Sequence, residues 1–266
     1  MRDGSGEDSR FEVLVGFDLD VEAADVISAC WGRPTGPTQG LVAWYRCEPV
    51  GDTSSNVLSD SSSHGNDALL MTGTDSGSGG TSYVPGKMGQ ALSFSPSNKG
   101  YAALPSGLLA NSCEVTVATW VYLNSSGNWQ RIFDFGKPES DGTSRIYMYL
   151  TTRSAANKAL HFAISTTGVG SGEQVLDGPA LTTKTWHHVA VVLGPAGAVL
   201  YLDGVQEAAN PDLTLRPADL PHPLDYLIAR SQWRLYDYFL DGVIDEFRIY
   251  DRALLPEEIV ALASTH

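Results

Sequence analysis

From Gly40 onward, apolar runs of six to nine residues alternate with turn residues, and this rhythm constrains the fold more than any other feature of the chain. The runs are "LVAWYRC" (41–47), "QALSFS" (90–95), "VTVATWVYL" (115–123), "RIFDFG" (131–136) and "RIYMYLTT" (145–152). They continue with "ALHFAIS" (159–165), "WHHVAVVL" (186–193), "AVLYLDG" (198–204), "DYLIAR" (225–230) and "GVIDEFRIY" (242–250). Many short strands punctuated by turn residues predict an all-β sandwich or barrel. The clearest hairpin is "HHVAVVLGPAGAVLYLDGV", in which two alternating runs flank Gly-Pro-Ala-Gly. Only "LLPEEIVALA" (254–263) predicts a helix, with Pro256 suited to its first turn and Glu257 and Glu258 near its N-terminal end.

Residues 1–39 break this rhythm. They are acidic and end in "GRPTGPTQG", a linker-like stretch. Within them "FEVLVGF" predicts a short strand, and "VEAADVISA" a short helix or extended arm. The expected organisation is an acidic arm over 1–39 followed by one domain over 40–266.

Charge narrows the partners. The net charge is −14, which argues against nucleic acid and anionic membrane surfaces. No run of 18 apolar residues exists to span a bilayer. The first 30 residues hold eight acids and two bases, so they lack the basic region of a signal peptide, and a removed leader stays open. Three cysteines, Cys30, Cys47 and Cys113, leave at least one thiol unpaired within the chain, and no CxxC spacing suggests zinc. Cys47 reads as a small buried hydrophobe.

The last strand poses a question. Strict alternation puts Asp245 on one face with Val243, Phe247 and Ile249, and Glu246 on the other with Ile244, Arg248 and Tyr250. A carboxylate among apolar side chains must be paired, hydrogen-bonded or coordinated.

Four phrases in order, "GLVAWYRCE", "DSSSHGNDALL", "VPGKMGQALSFS" and "DGVIDEFRIYDRALLPEEI", together with "WHHVAVVL…AVLYLDGV", resemble the laminin-G-like, concanavalin A-like jelly rolls of bacterial secreted proteins. The resemblance runs from about Gly40 to Ala263. "NWQRIFDFG" and "TLRPADL…LIARSQW" look like a sub-group often appended to glycosidases. The resemblance implies a jelly-roll sandwich of two antiparallel sheets with one short C-terminal helix, and an extracellular or cell-surface setting. It also implies a structural Ca2+ held by Asp60 and Asp245, with carbonyls near Gly65, Asn66 and Asp241 completing the shell. The family pattern has Gly and Asn where this chain has Ser63 and His64. Without calcium, Asp245 accepts backbone hydrogen bonds or pairs with an arginine such as Arg230, and Asp60 forms an Asx-turn.

Chemistry-bearing patterns are sparse. "DLDVE" (Asp18, Asp20, Glu22) is the nearest approach to the paired acids of sandwich glucanases, and it begins with the wrong residue in the unmatched arm. His187 and His188 are adjacent on a strand and so face apart, which disfavours chelation. There is no nucleophile elbow and no phosphate-binding loop. Trp44, Trp120 and Trp186 sit in strand runs and read as core. Trp129 and Trp233 sit in polar loops, with Tyr236 close by, and Arg131, Arg230 and Gln232 accompany them. These six are the candidate ligand-binding residues, because a sugar site needs exposed rings flanked by a few polar groups. The expected function is a non-catalytic carbohydrate-binding module. A protein-binding or adhesion domain, and a glycoside hydrolase or lyase on the same fold, are the alternatives.

Overall fold

A computed structural model describes residues 36–49, 56–73, 80–170 and 172–265. "FEVLVGF", "VEAADVISA", "DLDVE" and Cys30 lie outside these residues. Gly36–His266 forms one compact unit.

The strands are β1 (Leu41–Tyr45), β2 (Val57–Leu58), β3 (Ala68–Met71), β4 (Thr81–Pro85), β5 (Gln90–Phe94), β6 (Tyr101–Leu104), β7 (Val115–Leu123) and β8 (Arg131–Pro138). They continue as β9 (Ser144–Thr151), β10 (His161–Ser165), β11 (Gln174–Asp177), β12 (Trp186–Gly194), β13 (Gly197–Leu202), β14 (Val205–Asn210), β15 (Asp225–Ile228) and β16 (Gly242–Tyr250). Among the described residues one α-helix, α1 (Pro256–Ala263), follows β16. The first sheet runs β14-β13-β12-β7-β16-β5-β4, with β1 also on β16, and the second runs β11-β10-β9-β8-β15-β6-β3-β2. Every pairing is antiparallel, for example β7 with β12 and β8 with β9. The predicted sandwich of two antiparallel sheets is therefore what forms.

Alternation places the core. Val117 and Val121 of β7, Val189 and Val191 of β12, and Leu92 and Phe94 of β5 face inward from the first sheet. Phe133 and Phe135 of β8, Met148 and Leu150 of β9, and Phe162 of β10 meet them from the second. Phe133 and Phe247 join across the sandwich, with ring centroids 6.4 Å apart in an edge-on arrangement. Burying each such side chain contributes about 1.5–3 kcal/mol. Cys47 is buried and free, and its thiol donates to the Tyr45 carbonyl; Cys113 is exposed and free.

The outer face of the first sheet has its own apolar layer. Ile259 and Leu262 of α1 pack with Leu41, Trp44 and Tyr250. Glu258 anchors the start of α1, accepting from the Leu255 N–H and from both terminal nitrogens of Arg252.

The answer to the Asp245 question is a β-bulge. Asp245 pairs with Trp120, but the next paired residue on β16 is Arg248, opposite Ala118. Two residues of β16 thus oppose one of β7, and Glu246 takes a left-handed φ of 53°. Parity flips at this point. Ile244 before the bulge, and Phe247 and Ile249 after it, all face the core. Asp245 follows Trp120 onto the outer face, and Glu246 joins it there, with Oε2 accepting from Trp44 Nε1 at 2.7 Å and Arg248 Nη2 at 2.6 Å. The strict-alternation reading is corrected on both counts. Asp245 is not among Phe247 and Ile249, and Asp245 and Glu246 do not face apart.

Asp245 is nonetheless fully buried, and its Oδ2 accepts the Met88 N–H at 2.9 Å. Its Oδ1 has no partner among the described residues. Burial, opposed by that hydrogen bond, pushes its carboxyl up to about 7. Between the unfolded value near 4 and about 7, the folded chain keeps a proton that the unfolded chain releases, so stability falls as pH rises through this window. Asp245→Asn should therefore be near neutral at pH 4 and stabilising at pH 8, by on the order of 4 kcal/mol. Urea denaturation of both proteins across that pH range reads the difference directly. A gap that stays constant with pH would refute it.

Candidate functional site

The outer face of the second sheet is aromatic where a solvated sheet would be polar. On β9, Met148 and Leu150 point into the core, while Tyr147 and Tyr149 point outward and cluster with Ala163 of β10. On β8 a register shift between Arg131 and Phe133 lets Phe133 and Phe135 face inward while Asp134 pairs opposite Tyr149. The Arg131 guanidinium lies 3.9 Å from the centroid of the Tyr149 ring, a close cation–π stack.

Arg131 is 2% exposed, and its donors tie three parts of the chain together. Nε donates to Asp134 Oδ2 at 3.1 Å, Nη2 to Asp237 Oδ2 at 2.9 Å, and Nη1 to the Trp129 carbonyl at 3.1 Å. Asp134 Oδ2 also accepts the Gln232 N–H at 3.0 Å, and Ser231 Oγ donates to Asp237 Oδ2 at 2.7 Å. The segment between β15 and β16 is thereby pinned over the sheet. Burial pushes Asp134 up to about 6 despite the Arg131 charge beside it, and it raises Asp237 as well.

Two tryptophans complete the site. Trp233 crosses Tyr147 at 4.8 Å and Tyr149 at 5.8 Å between centroids, both edge-on. Trp129 stands edge-on to His161 at 5.9 Å, and its backbone holds a left-handed φ of 62°. A bulky residue there costs about 1–2 kcal/mol, so the surrounding structure, including its N–H bond to the Arg153 carbonyl, over-determines it. Both tryptophans line a cavity of about 210 Å3, together with Arg131, Tyr149, Val169 and Asp237. This is smaller than the roughly 300–1,000 Å3 of drug-sized pockets, so it seats one small ring.

Of the six ligand-binding candidates, Trp129, Arg131 and Trp233 line this cavity. Arg230 does not; it is buried between Tyr101 at 4.4 Å and Phe239 at 5.6 Å. Gln232 is fully buried, with Nε2 donating to the Asp225 carbonyl, so it braces the loop. Tyr236 is 63% exposed and lies outside the lining. Tyr149 and Asp237 went unnoticed in the sequence. For Tyr149 a signal existed: "YMYLTT" carries bulky side chains on both faces of one strand, rings on one and Met148 and Leu150 on the other, which marks an outer face that is not simply solvated. Asp237 carries no such signal, because a turn brings it back onto Arg131.

The calcium candidates are arranged differently from the expectation. Asp60 Oδ1 accepts the Trp44 and Ser62 N–H groups, and Oδ2 accepts the Asn66 N–H and the Ser62 hydroxyl. A carboxylate offers about four lone-pair positions, and this turn fills them. Asn66 gives its side-chain amide to the Val42 carbonyl and its own carbonyl to the Tyr45 hydroxyl. The Asp241 carboxylate accepts from Ser125, and Asp245 takes the Met88 N–H. No group of three or more His, Cys, Asp or Glu suited to a metal occurs among the described residues. Asp60, Asn66, Asp241 and Asp245 as placed here do not fit one calcium ion. The same hydrogen bonds hold Asp60 below the usual carboxylate range, although its partial burial opposes them.

The class this defines is a two-sheet β-sandwich with a ring-lined, guanidinium-centred cavity on one outer face. A family model described as "Concanavalin A-like lectin/glucanases superfamily" matches residues 96–260, and the chain belongs to that superfamily. Among solved structures it is similar to domain 4 of AbnA, a GH43 extracellular arabinanase from Geobacillus stearothermophilus, in complex with arabinotriose. That match has TM-score 0.66 and 22% identity, over 84% of this chain and 98% of that one. Trypanosoma rangeli sialidase in complex with the inhibitor DANA matches with TM-score 0.61 and 16% identity, over 93% of this chain and 39% of that one. The binding domain of Paraclostridial Mosquitocidal Protein 1 matches with TM-score 0.55 and 12% identity, over 84% and 52%. At these identities the likeness establishes the fold. A comparison with curated proteins finds no match.

The Asp60 geometry makes a checkable statement about metal. Asp60→Ala should lower stability by about 1–3 kcal/mol through lost turn hydrogen bonds. EDTA should leave the melting temperature of the unmodified protein where it was. A fall in melting temperature with EDTA that calcium restores would show that the turn rearranges around an ion.

Proposed function

We propose that the domain binds carbohydrate without transforming it, seating a sugar ring in the cavity lined by Trp129 and Trp233. The observation that carries this reading is the composition of the cavity wall: three aromatic residues, one guanidinium and one carboxylate around a space for one ring. Aromatic faces suit the C–H faces of a sugar, and a few fixed polar groups orient its hydroxyls. The similarity to a domain solved in complex with arabinotriose supports the same reading, and that domain's belonging to an extracellular arabinanase supports a place outside the cell.

The carboxylates argue for binding over catalysis. A glycosidase needs two acids on opposite sides of the scissile bond, about 5–10 Å apart. Here Asp134 and Asp237 both spend an oxygen on one guanidinium, and Asp134 is fully buried beneath the site. Only Asp237 lines the cavity.

Calorimetric titration of the full chain with neutral oligosaccharides, arabinotriose among them, tests the proposal. Trp233→Ala should weaken binding about 30-fold, the equivalent of about 2 kcal/mol for a buried aromatic anchor. A melting curve of the variant establishes that it folds. Binding unaffected in a folded Trp233→Ala protein would move the site elsewhere, and release of reducing sugar from the ligand would refute the non-catalytic reading.

A further inference from the structure

The charges around the cavity define its ligand class more narrowly than its shape does. Arg131 is the one cation in the wall, and its Nε and Nη2 are held by Asp134 at 3.1 Å and Asp237 at 2.9 Å. A third carboxylate, Glu173, accepts the Tyr147 hydroxyl at 2.7 Å, and Tyr147 meets Trp233 edge-on. One guanidinium is thus set against three carboxylates.

An anion entering this space finds a positive charge already compensated, and Asp237 in the wall repels it. A guanidinium that recognises a carboxylate does so by offering two parallel N–H groups. In Arg131 the edge formed by Nε and Nη2 is already occupied by protein carboxylates, and Nη1 gives one N–H to the Trp129 carbonyl. The two N–H groups that remain can donate to hydroxyl oxygens, whereas a ligand carboxylate brought to them would sit beside Asp237, which shares this guanidinium. Asp237, acceptor-only when ionised, takes hydroxyl protons in return. The chain's net charge of −14 opposes acidic ligands at longer range in the same sense.

Resting on the carbohydrate-binding reading, we infer that the Arg131–Asp237 cavity selects uncharged sugar residues and rejects acidic ones, sialic and uronic acids included. Asp237 is the discriminating group, through unfavourable charge placed against the wrong ligand.

The test uses paired probes that differ by an acidic group: galactotriose against trigalacturonate, and lactose against 3′-sialyllactose, titrated into the full chain at low and high salt. The neutral member of a pair that binds should do so at least tenfold more tightly than its acidic partner. Raising the salt should narrow that gap, because screening weakens repulsion and leaves neutral contacts alone. Asp237→Asn, shown to be folded by its melting curve, should narrow it too. An acidic probe that binds as tightly as its neutral partner overturns the inference while leaving carbohydrate binding intact. If neither these probes nor arabinotriose bind, the carbohydrate reading falls and the inference falls with it.

Discussion

One strand organises the first sheet, and one bulge organises that strand. β16 is flanked by β7 along one edge and by two strands end to end on the other. Its first half pairs with β5 and its second half with β1. The change of partner coincides with the bulge at Glu246, where an extra residue twists the strand and flips its parity. Without it, Asp245, Phe247 and Ile249 would share one face, so either the two apolar residues would leave the core or the carboxylate would enter it. The bulge instead collects Asp245 and Glu246 on the outer face, where Trp44, Arg248 and the Met88 backbone hold them.

The second sheet solves a different problem. Its outer face carries Tyr147, Tyr149 and Arg131, which solvent alone would not accommodate in fixed positions. The segment between β15 and β16 covers them, and Arg131 is the fastening, reaching Asp134 on its own strand and Asp237 in that segment. A buried cation held by one buried and one partly exposed carboxylate contributes little net stability relative to an apolar packing. What it supplies is register: Trp129 and Trp233 line one cavity, and the backbones of both are tied to the same guanidinium or its neighbours.

The sheet content of the fold was legible because long strands alternate. β7 and β16 begin and end where their apolar runs do. β4, β6 and β14 were not legible, for separate reasons. β4 contains Pro85 and lies at a sheet edge, β6 is built of small residues in "YAAL", and β14 is polar and largely exposed. The faces of β16 were misread because alternation presumes an unbroken ladder, and nothing in "IDEF" announces a bulge. At the site, loop tryptophans and Arg131 stood out as rings and charge in polar surroundings. Arg230 and Gln232 looked the same in sequence but are buried supports, since a polar residue that braces a loop and one that meets a ligand share a local pattern.

Trp129 shows where this chain departs from its own stability optimum. Its left-handed backbone would suit glycine, and a glycine there would relieve conformational strain while deleting one wall of the cavity. Position 129 is thus a point of conflict between backbone ease and the shape of the cavity. Screening variants for heat resistance alone would drift toward removing this ring. A library meant to harden the domain while keeping its cavity should hold position 129 fixed and seek its gains among the exposed residues of β14.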